Sequence, residues 1–244
     1  MLVSIITVAY NSQDTIAKTI ESVLAQTYPS IDYVIVDGAS TDRTVEIARS
    51  YQEKFKNKPG KTLRIVSEAD KGMYDALNKG ARLSLGTLVG NINADDWYEP
   101  DAVEKMVRYY QQDNFDCAWG NILIHKTSGN MLKRARIGQW WSTAGFCHPA
   151  MFTRREILLQ NPYICHNMYD DWDFITHLYT SGKHLRTYND LISHYNFGGM
   201  STQKDWNQVK KRIGMKYAVY RKYGLSRWHF PECVAIESAK YLLG

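Results

Sequence analysis

Nowhere does the 244-residue chain hold the run of about 18 consecutive apolar residues that a helix needs to cross a bilayer, so the sequence offers no membrane span. Its opening, MLVSIITVAYNS, lacks a basic n-region and a small-residue cleavage site. It is expected to be a core strand from the second residue, not a secretory leader. Cysteine is scarce. Cys117, Cys147, Cys165 and Cys233 include no CxxC pair and are spaced as neither a zinc site nor a disulfide framework. The expectation is reduced, mostly buried thiols in a cytosolic protein. A GxGxxG phosphate loop is absent throughout, which argues against a dinucleotide cofactor. Internal repeats and low-complexity segments are also missing, so a solenoid or a disordered chain is excluded.

What is present is ordinary in amount and uneven in placement. Hydrophobic residues make up 44% and charged residues 23%, as in a soluble globular chain of one large domain with an appendage. The net charge is +5. From Lys204 onward there are nine Lys or Arg against three Asp or Glu, while the chain before it has 21 basic and 22 acidic residues. The near-neutral body argues against nucleic acid as a partner. The basic tail also carries Trp206, Tyr217, Tyr220, Tyr223, Trp228 and Phe230. Two readings of it stand: a helix at a membrane interface, or a helix packed on the domain with a solvated basic side.

The first half alternates in period. Residues 2–8 (LVSIITV), 31–36 (IDYVIV), 63–67 and 88–92 are expected strands. Residues 14–26, 42–55 and 72–85 are expected helices, the second capped by Ser40 or Thr41. Pro100 is expected to open a helix that runs to Gln112. Alternating strands and helices with short connections predict an α/β fold, a parallel sheet covered on both faces. The second half is less regular. Residues 117–125 and 130–134 read as a strand pair around the turn KTSGN, and 138–149 as loop with a short strand. Helices are expected at 172–181, around Val209 to Tyr220, and from Ala235 on, with one or two short strands in 185–195.

In such sheets ligands sit beyond the C-terminal ends of the strands. That rule selects residues 9–11, 37–42 and 93–96, all polar. Asp95 and Asp96 are adjacent hard oxygen donors at a strand end, suited to Mg2+ or Mn2+ holding a diphosphate. Their alternative is a helix N-cap. An N-cap needs one acid, however, and these two sit several residues ahead of Pro100. Asp37 ends the second strand, where an acid can accept from a base N–H or a ribose hydroxyl; its alternative is to order the turn.

Four blocks in order, IITVAYN (5–11), VDGASTDRT (36–44), DKGMYDALNKG (70–80) and NADDWY (93–98), resemble glycosyltransferase family 2, the inverting nucleotide-sugar transferases of GT-A fold. The resemblance is dense over the first hundred residues and thinner to about residue 201. It implies a GT-A fold, a Rossmann-like and mostly parallel sheet flanked by helices. Residues 1–100 would form the nucleotide-binding half, 101–203 the acceptor-binding half and 204–244 a helical extension. It implies that Thr7, Ala9, Tyr10, Asn11 and Asp37 line the base and ribose pocket, with Lys71 near the base or diphosphate. Asp95 would meet the ribose or sugar and Asp96 the metal. YDDWDF (169–174) is similar to the family's acidic block, in which Asp171 matches the base that deprotonates the acceptor hydroxyl. GFCHPAMFTRRE (145–156) places His148 toward acceptor or sugar. ISHYNFGGMS (192–201) offers His194 as a late metal ligand, followed by Gly198 and Gly199 in a loop that can close on the diphosphate. Two departures are visible: Gly38 stands where many members have a second acid, and Asn93 where some have a third. The QxxRW block of processive members is absent, so one sugar is expected per event.

The implied activity is metal-dependent transfer of a sugar from a nucleotide-diphosphate sugar to a glycan or lipid-linked acceptor in cell-surface polysaccharide synthesis. The enzyme would be cytoplasmic, in peripheral contact with the inner membrane face through its extension. Two alternatives stand beside it. A sugar nucleotidyltransferase needs a Gly-rich, cationic loop after the first strand, whereas this chain has AYNSQDT. A non-catalytic nucleotide-sugar-binding module would have no need of the acids.

Overall fold

The computed structural model describes residues 1–137, 145–197 and 205–243. The expected loop at Gly198 and Gly199, and residues 138–144 of the expected aromatic loop, lie outside the described residues.

The first half follows the alternation of its sequence. β1 (Val3–Ala9), β2 (Ile31–Asp37), β3 (Lys61–Ser67) and β4 (Leu88–Asn91) alternate with α1 (Ile16–Leu24), the pair α2 (Thr44–Ser50) and α3 (Gln52–Lys56), and α4 (Met73–Leu83). Every residue of β1, β2 and β4 is buried, as expected of parallel strands covered on both faces. The strands pair in parallel in the order β3-β2-β1-β4. Their register aligns Ala9, Asp37 and Ser67 at one edge.

Polar groups inside these strands are satisfied. Ser4 Oγ donates to Asp32 Oδ2 at 2.6 Å, and the two side chains accept from the backbone N–H groups of Leu85 and Gly86 at 2.8 to 3.1 Å. This ties the turn after α4 to the sheet. α4 itself lies close on the sheet because residue 80 is glycine: a Cβ there would stand 2.5 Å from Ile6 Cγ2.

The single helix expected over 42–55 is two. The Tyr51 N–H bonds back three residues to Ala48 O at 3.2 Å, which tightens the chain there, while the Tyr51 hydroxyl donates to Glu21 at 2.8 Å. The expected caps are also corrected. Asp42 Oδ1 accepts from Thr44 N at 2.9 Å, whereas Ser40 and Thr41 bond to Asp37 and Asn11.

Beyond β4 the sheet becomes mixed. The order continues β8 (Met151–Arg154), β6 (Cys117–Lys126), β9 (Leu185–Asn196) and β5 (Trp97–Tyr98), with β7 (Gly129–Lys133) hairpinned onto β6. β8 runs antiparallel to β4 and β6, β9 parallel to β6, and β5 antiparallel to β9. The expected KTSGN hairpin is present, and 185–195 is one long strand with a register irregularity opposite Trp119 to Ile122.

β5 follows β4 closely in sequence yet pairs at the far end of this run. The run therefore curls, and the Tyr98 hydroxyl reaches the Asn91 carbonyl at 3.1 Å. The segment 92–96 is held in that turn. The helices are α5 (Ala102–Asp113), α6 (Arg155–Gln160), α7 (Asp170–Thr180), α8 (Trp206–Lys222) and α9 (His229–Leu243).

Candidate active site

Two loops at the shared edge of β1 and β2 are zipped together. Asn11 holds a left-handed backbone (φ 48°). Its N–H donates to Ser40 Oγ at 2.8 Å, and its Oδ1 accepts from Thr41 N at 2.9 Å. Asp37 is buried and accepts from Ser40 N at 2.9 Å, from Ser67 Oγ at 2.7 Å and from the Ser40 hydroxyl. The carboxylate thus orders the turn. Thr7 and Ala9 are buried, and Thr7 Oγ1 accepts from Tyr33 at 2.9 Å. Tyr10 is 66% exposed. A Cβ on Gly38 would meet Asp70 Oδ2 at 2.7 Å and the Tyr10 ring at 3.4 Å. Asp70 therefore brings a carboxylate beside the glycine where a second acid was missed. It lies next to Lys71, which is exposed and whose N–H donates to Asp75 at 3.1 Å. The sequence signal for Asp70 was the DKG block itself, in which only Lys71 had been singled out.

Asp95 and Asp96 sit in the curl between β4 and β5. Asp96 is sealed; Oδ1 accepts from Asn196 N at 2.9 Å and Oδ2 from Asn93 Nδ2 at 3.2 Å. Burial first, and the neighbouring Asp95 second, push the Asp96 carboxyl up to about 8. Burial also raises Asp95. Two crowded carboxyl groups in a poorly hydrated place keep a proton that a bound cation would displace. The N-cap alternative falls away, because Asp101 precedes α5. The donor set fits Mg2+ or Mn2+ in hardness. Among the described residues, however, no group of three or more His, Cys, Asp or Glu side chains gathers to hold a metal.

His194, the late metal ligand that the resemblance implies, meets other side chains at both ring nitrogens. Its Nδ1 lies 2.9 Å from His125 Nε2, and its Nε2 bonds to Glu99. Trp97 stacks on its ring at 4.9 Å. These contacts pin β5 to β9. Burial, then His194 and Lys18, lower the pKa of His125.

The first turn of α7 holds three acids, and the structure tells them apart. Asp170 accepts from the N–H groups of His166 and Asn167 at 2.6 and 3.1 Å, a local turn. Asp173 is bound by Lys222 Nζ at 2.7 and 2.9 Å and by the Tyr223 hydroxyl at 2.7 Å. Asp171 accepts from Trp172 N at 2.7 Å, and its Oδ2 is 3.8 Å from His148 Nδ1. His148 is buried at the start of a short 3-10 turn, with Asn91 Nδ2 at 3.2 Å from Nε2 and the Tyr163 hydroxyl at 3.5 Å. His148 therefore connects the end of β4, just ahead of Asp95, to Asp171. Burial lowers the His148 pKa against the opposing pull of Asp171. Tyr74 and Tyr163 are raised well above the usual phenol value by burial and then by Asp171, so both remain protonated beside it.

The family model described as Glycosyl transferase family 2 matches residues 4–172. The chain belongs to glycosyltransferase family 2. Its membership decides against the nucleotidyltransferase and the non-catalytic module: this is a glycosyltransferase. Over 218 residues the enzyme is 28% identical to the PGL/p-HBAD biosynthesis glycosyltransferase Rv2957 of Mycobacterium tuberculosis, covering 87% of this chain and 84% of that one. Its fold is that of the GT-A glycosyltransferases. It superposes on S. aureus TarS 1-349 in complex with UDP-GlcNAc with a TM-score of 0.71 at 16% identity, over 100% of this chain and 73% of that one. It also matches the mannosyltransferase PcManGT of Pyrobaculum calidifontis, in complex with GDP-Man and Mn2+, with a TM-score of 0.68 at 18% identity, over 98% and 70% of the two chains.

Proposed function

We propose that this glycosyltransferase moves one sugar, with inversion, from a nucleotide-diphosphate sugar to a hydroxyl of a glycan or lipid-linked acceptor in cell-surface polysaccharide synthesis. Asp171 is the base. The observation that carries this reading is its condition within α7: Asp170 and Asp173 are tied to protein donors, while Asp171 faces His148 across from the end of β4. An acceptor hydroxyl is a weak nucleophile, and a carboxylate that takes its proton as the new bond forms accelerates an in-line displacement. Asp96, with His194 as a late ligand, holds Mn2+ or Mg2+, which when bound supplies positive charge to the departing diphosphate, and Asp95 meets the ribose or sugar. Tyr10, Asn11 and Asp37, with Thr7 and Ala9 behind them, form the base and ribose pocket, and Lys71 lies toward the diphosphate. His148 lies at the acceptor side.

Residues 1–100 form the donor half and 101–203 the acceptor half of one GT-A domain. The extension 204–244 meets a membrane surface on the cytoplasmic side. No helix of the described residues is long and apolar enough to cross a membrane.

Asp171→Asn is the test. The variant is expected to bind the donor nucleotide as the parent does and to lose transfer by about a hundredfold or more. Normal transfer by it would remove Asp171 as the base. Thermal shifts with UDP, GDP, CDP and TDP sugars and Mn2+ identify the donor.

A further inference from the structure

Helix α8 reads WNQVKKRIGMKYAVYRK, with six Lys or Arg and no acid. The structure divides these cations into two sets. Arg212 and Lys216 are buried toward α9, where Arg212 Nε meets Glu237 Oε2 at 3.2 Å and Glu232 feels Lys216. The acids of α9 thus answer the inward cations. The outward ones are Lys210, Lys211 and Arg221, all exposed, while Lys222 reaches back to Asp173. At 100° per residue they share one face with Trp206, Asn207, Gly214 and Ala218, also exposed. No acidic side chain lies on that face, and Lys210, Lys211 and Arg221 form no ion pair among the described residues. The turn that leaves this helix exposes Arg227, with Trp228 84% exposed and Phe230 47% exposed. Trp206, at the helix start, is 45% exposed and packs edge-on against Tyr241 of α9 at 5.2 Å.

A basic helix face of about 25 Å with aromatic side chains at both ends has the chemistry of an anionic lipid surface. The cations meet lipid phosphates, and indole rings settle at headgroup depth. We propose that the outward face of α8 and the turn into α9 dock the enzyme on an anionic lipid bilayer, with Trp228 inserted and Lys210, Lys211, Arg221 and Arg227 against the headgroups. The inference rests on the membrane part of the reading above, for which it names the surface and the lipid charge. The position of the surface suits a lipid-borne acceptor. Lys222 and Tyr223 hold Asp173, and Tyr220 packs edge-on against Trp172 at 6.1 Å. The docking helix is therefore fastened to the helix that carries Asp171.

The test is co-sedimentation of the full chain with vesicles of phosphatidylcholine alone or with phosphatidylglycerol added, at low and high salt, together with transfer to a water-soluble acceptor. Expected is sedimentation with the anionic vesicles, weakened by salt. Lys210→Ala combined with Arg227→Ala is expected to bind about 30-fold more weakly, and Trp228→Ala at least about tenfold more weakly. Transfer to the soluble acceptor stays unchanged in both variants. All replaced side chains are exposed, and equal thermal midpoints check that the variants fold. Binding that ignores lipid charge, binding untouched by the variants, or protein that stays in the supernatant overturns the docking surface and leaves the transferase reading standing. Concentration-dependent dimers that dissociate in Trp228→Ala would overturn it in favour of a second copy. Loss of soluble transfer in Asp171→Asn bears only on the catalytic reading.

Discussion

Replacing His148 by leucine and, separately, by asparagine distinguishes a directed N–H from mere packing beside Asp171. The tautomer of His148 follows from its neighbours. Asn91 Nδ2 lies 3.3 Å from the His148 carbonyl oxygen, which only accepts, so the amide NH2 and not the amide oxygen faces it. The same NH2 lies 3.2 Å from Nε2, which must then be the accepting nitrogen. The ring proton is on Nδ1, the atom 3.8 Å from Asp171 Oδ2. That distance is longer than a hydrogen bond, and such contacts tighten when substrate binds.

A hydrogen bond to a charged group is worth about 1.5–3 kcal/mol. The length argues for the low end, so His148→Leu is expected to lower kcat about tenfold, with donor KM within about twofold of the parent. Asparagine places an amide N–H near the Nδ1 position, and His148→Asn is expected to recover most of the rate. Initial rates of nucleotide release, with thermal midpoints as the control for folding, read both. Parental kcat in the leucine variant, or equal losses in the two, would refute the reasoning. Stability carries a second sign. Because burial holds the His148 pKa below 6.5, the unfolded chain takes up the proton first as pH falls. The neutral ring thus contributes stability above that pH which is lost below it, and the leucine variant is expected to show a flatter acid limb.

A proton and a cation compete at Asp96. Its carboxyl, pushed up to about 8, makes metal-free stability fall as pH rises through the neutral range, and thermal stabilisation by Mn2+ is expected to grow over the same interval. Asp96→Asn is expected to lose the Mn2+ response and to melt a few degrees higher without metal near pH 8; equal Mn2+ shifts in the two proteins would take Asp96 out of the metal site. Gly38→Ala sets a methyl 2.7 Å from Asp70 Oδ2 and 3.4 Å from the Tyr10 ring. The carboxylate can swing, so stability is expected to change by less than about 1 kcal/mol while donor affinity, by titration calorimetry, falls about tenfold. Lys222→Met removes two hydrogen bonds from the nearly buried Asp173. The lysine is half exposed, so the cost in urea unfolding is expected to be about 1–2 kcal/mol; no change would mean that Tyr223 alone satisfies the carboxylate.

The parallel half was legible because buried β-branched runs and amphipathic helices alternate within it, and each strand pairs with a neighbour close in the sequence. The curled half was not. β5 is two residues long and β8 four, too short to show a period. Their partners are β9 for the first and β4 and β6 for the second, pairings of long sequence separation that no local pattern records. The helix expected at 172–181 was legible as α7, which buries Trp172, Ile175 and Leu178. At the site, adjacent acids at a strand end announced themselves. A lone histidine such as His194 carries no sign of its partners in the sequence. The two that occupy it, His125 and Glu99, are 69 and 95 residues away.

The choice among Asp170, Asp171 and Asp173 shows where such information resides. All three favour the positive end of α7, so nothing local ranks them. The ranking comes from what each meets. Asp170 is consumed by the turn before it. Asp173 is met by Lys222 and Tyr223, which arrive about fifty residues later on α8. Asp171 receives one backbone N–H, the longer approach of His148 and the nearby Tyr74 hydroxyl. Among the described residues it meets no Lys or Arg and a single backbone N–H, which supports the proposal that it takes the proton of an incoming hydroxyl, because the partners of the other two would have to be displaced first. By satisfying Asp173, the basic C-terminal helix removes a competing acid from the turn that presents Asp171. The same helix turns its remaining cations outward. One element thus serves the chemistry with its inner face and faces the surroundings with its outer one, and a variant that disturbs the inner face is expected to change rate without changing vesicle binding.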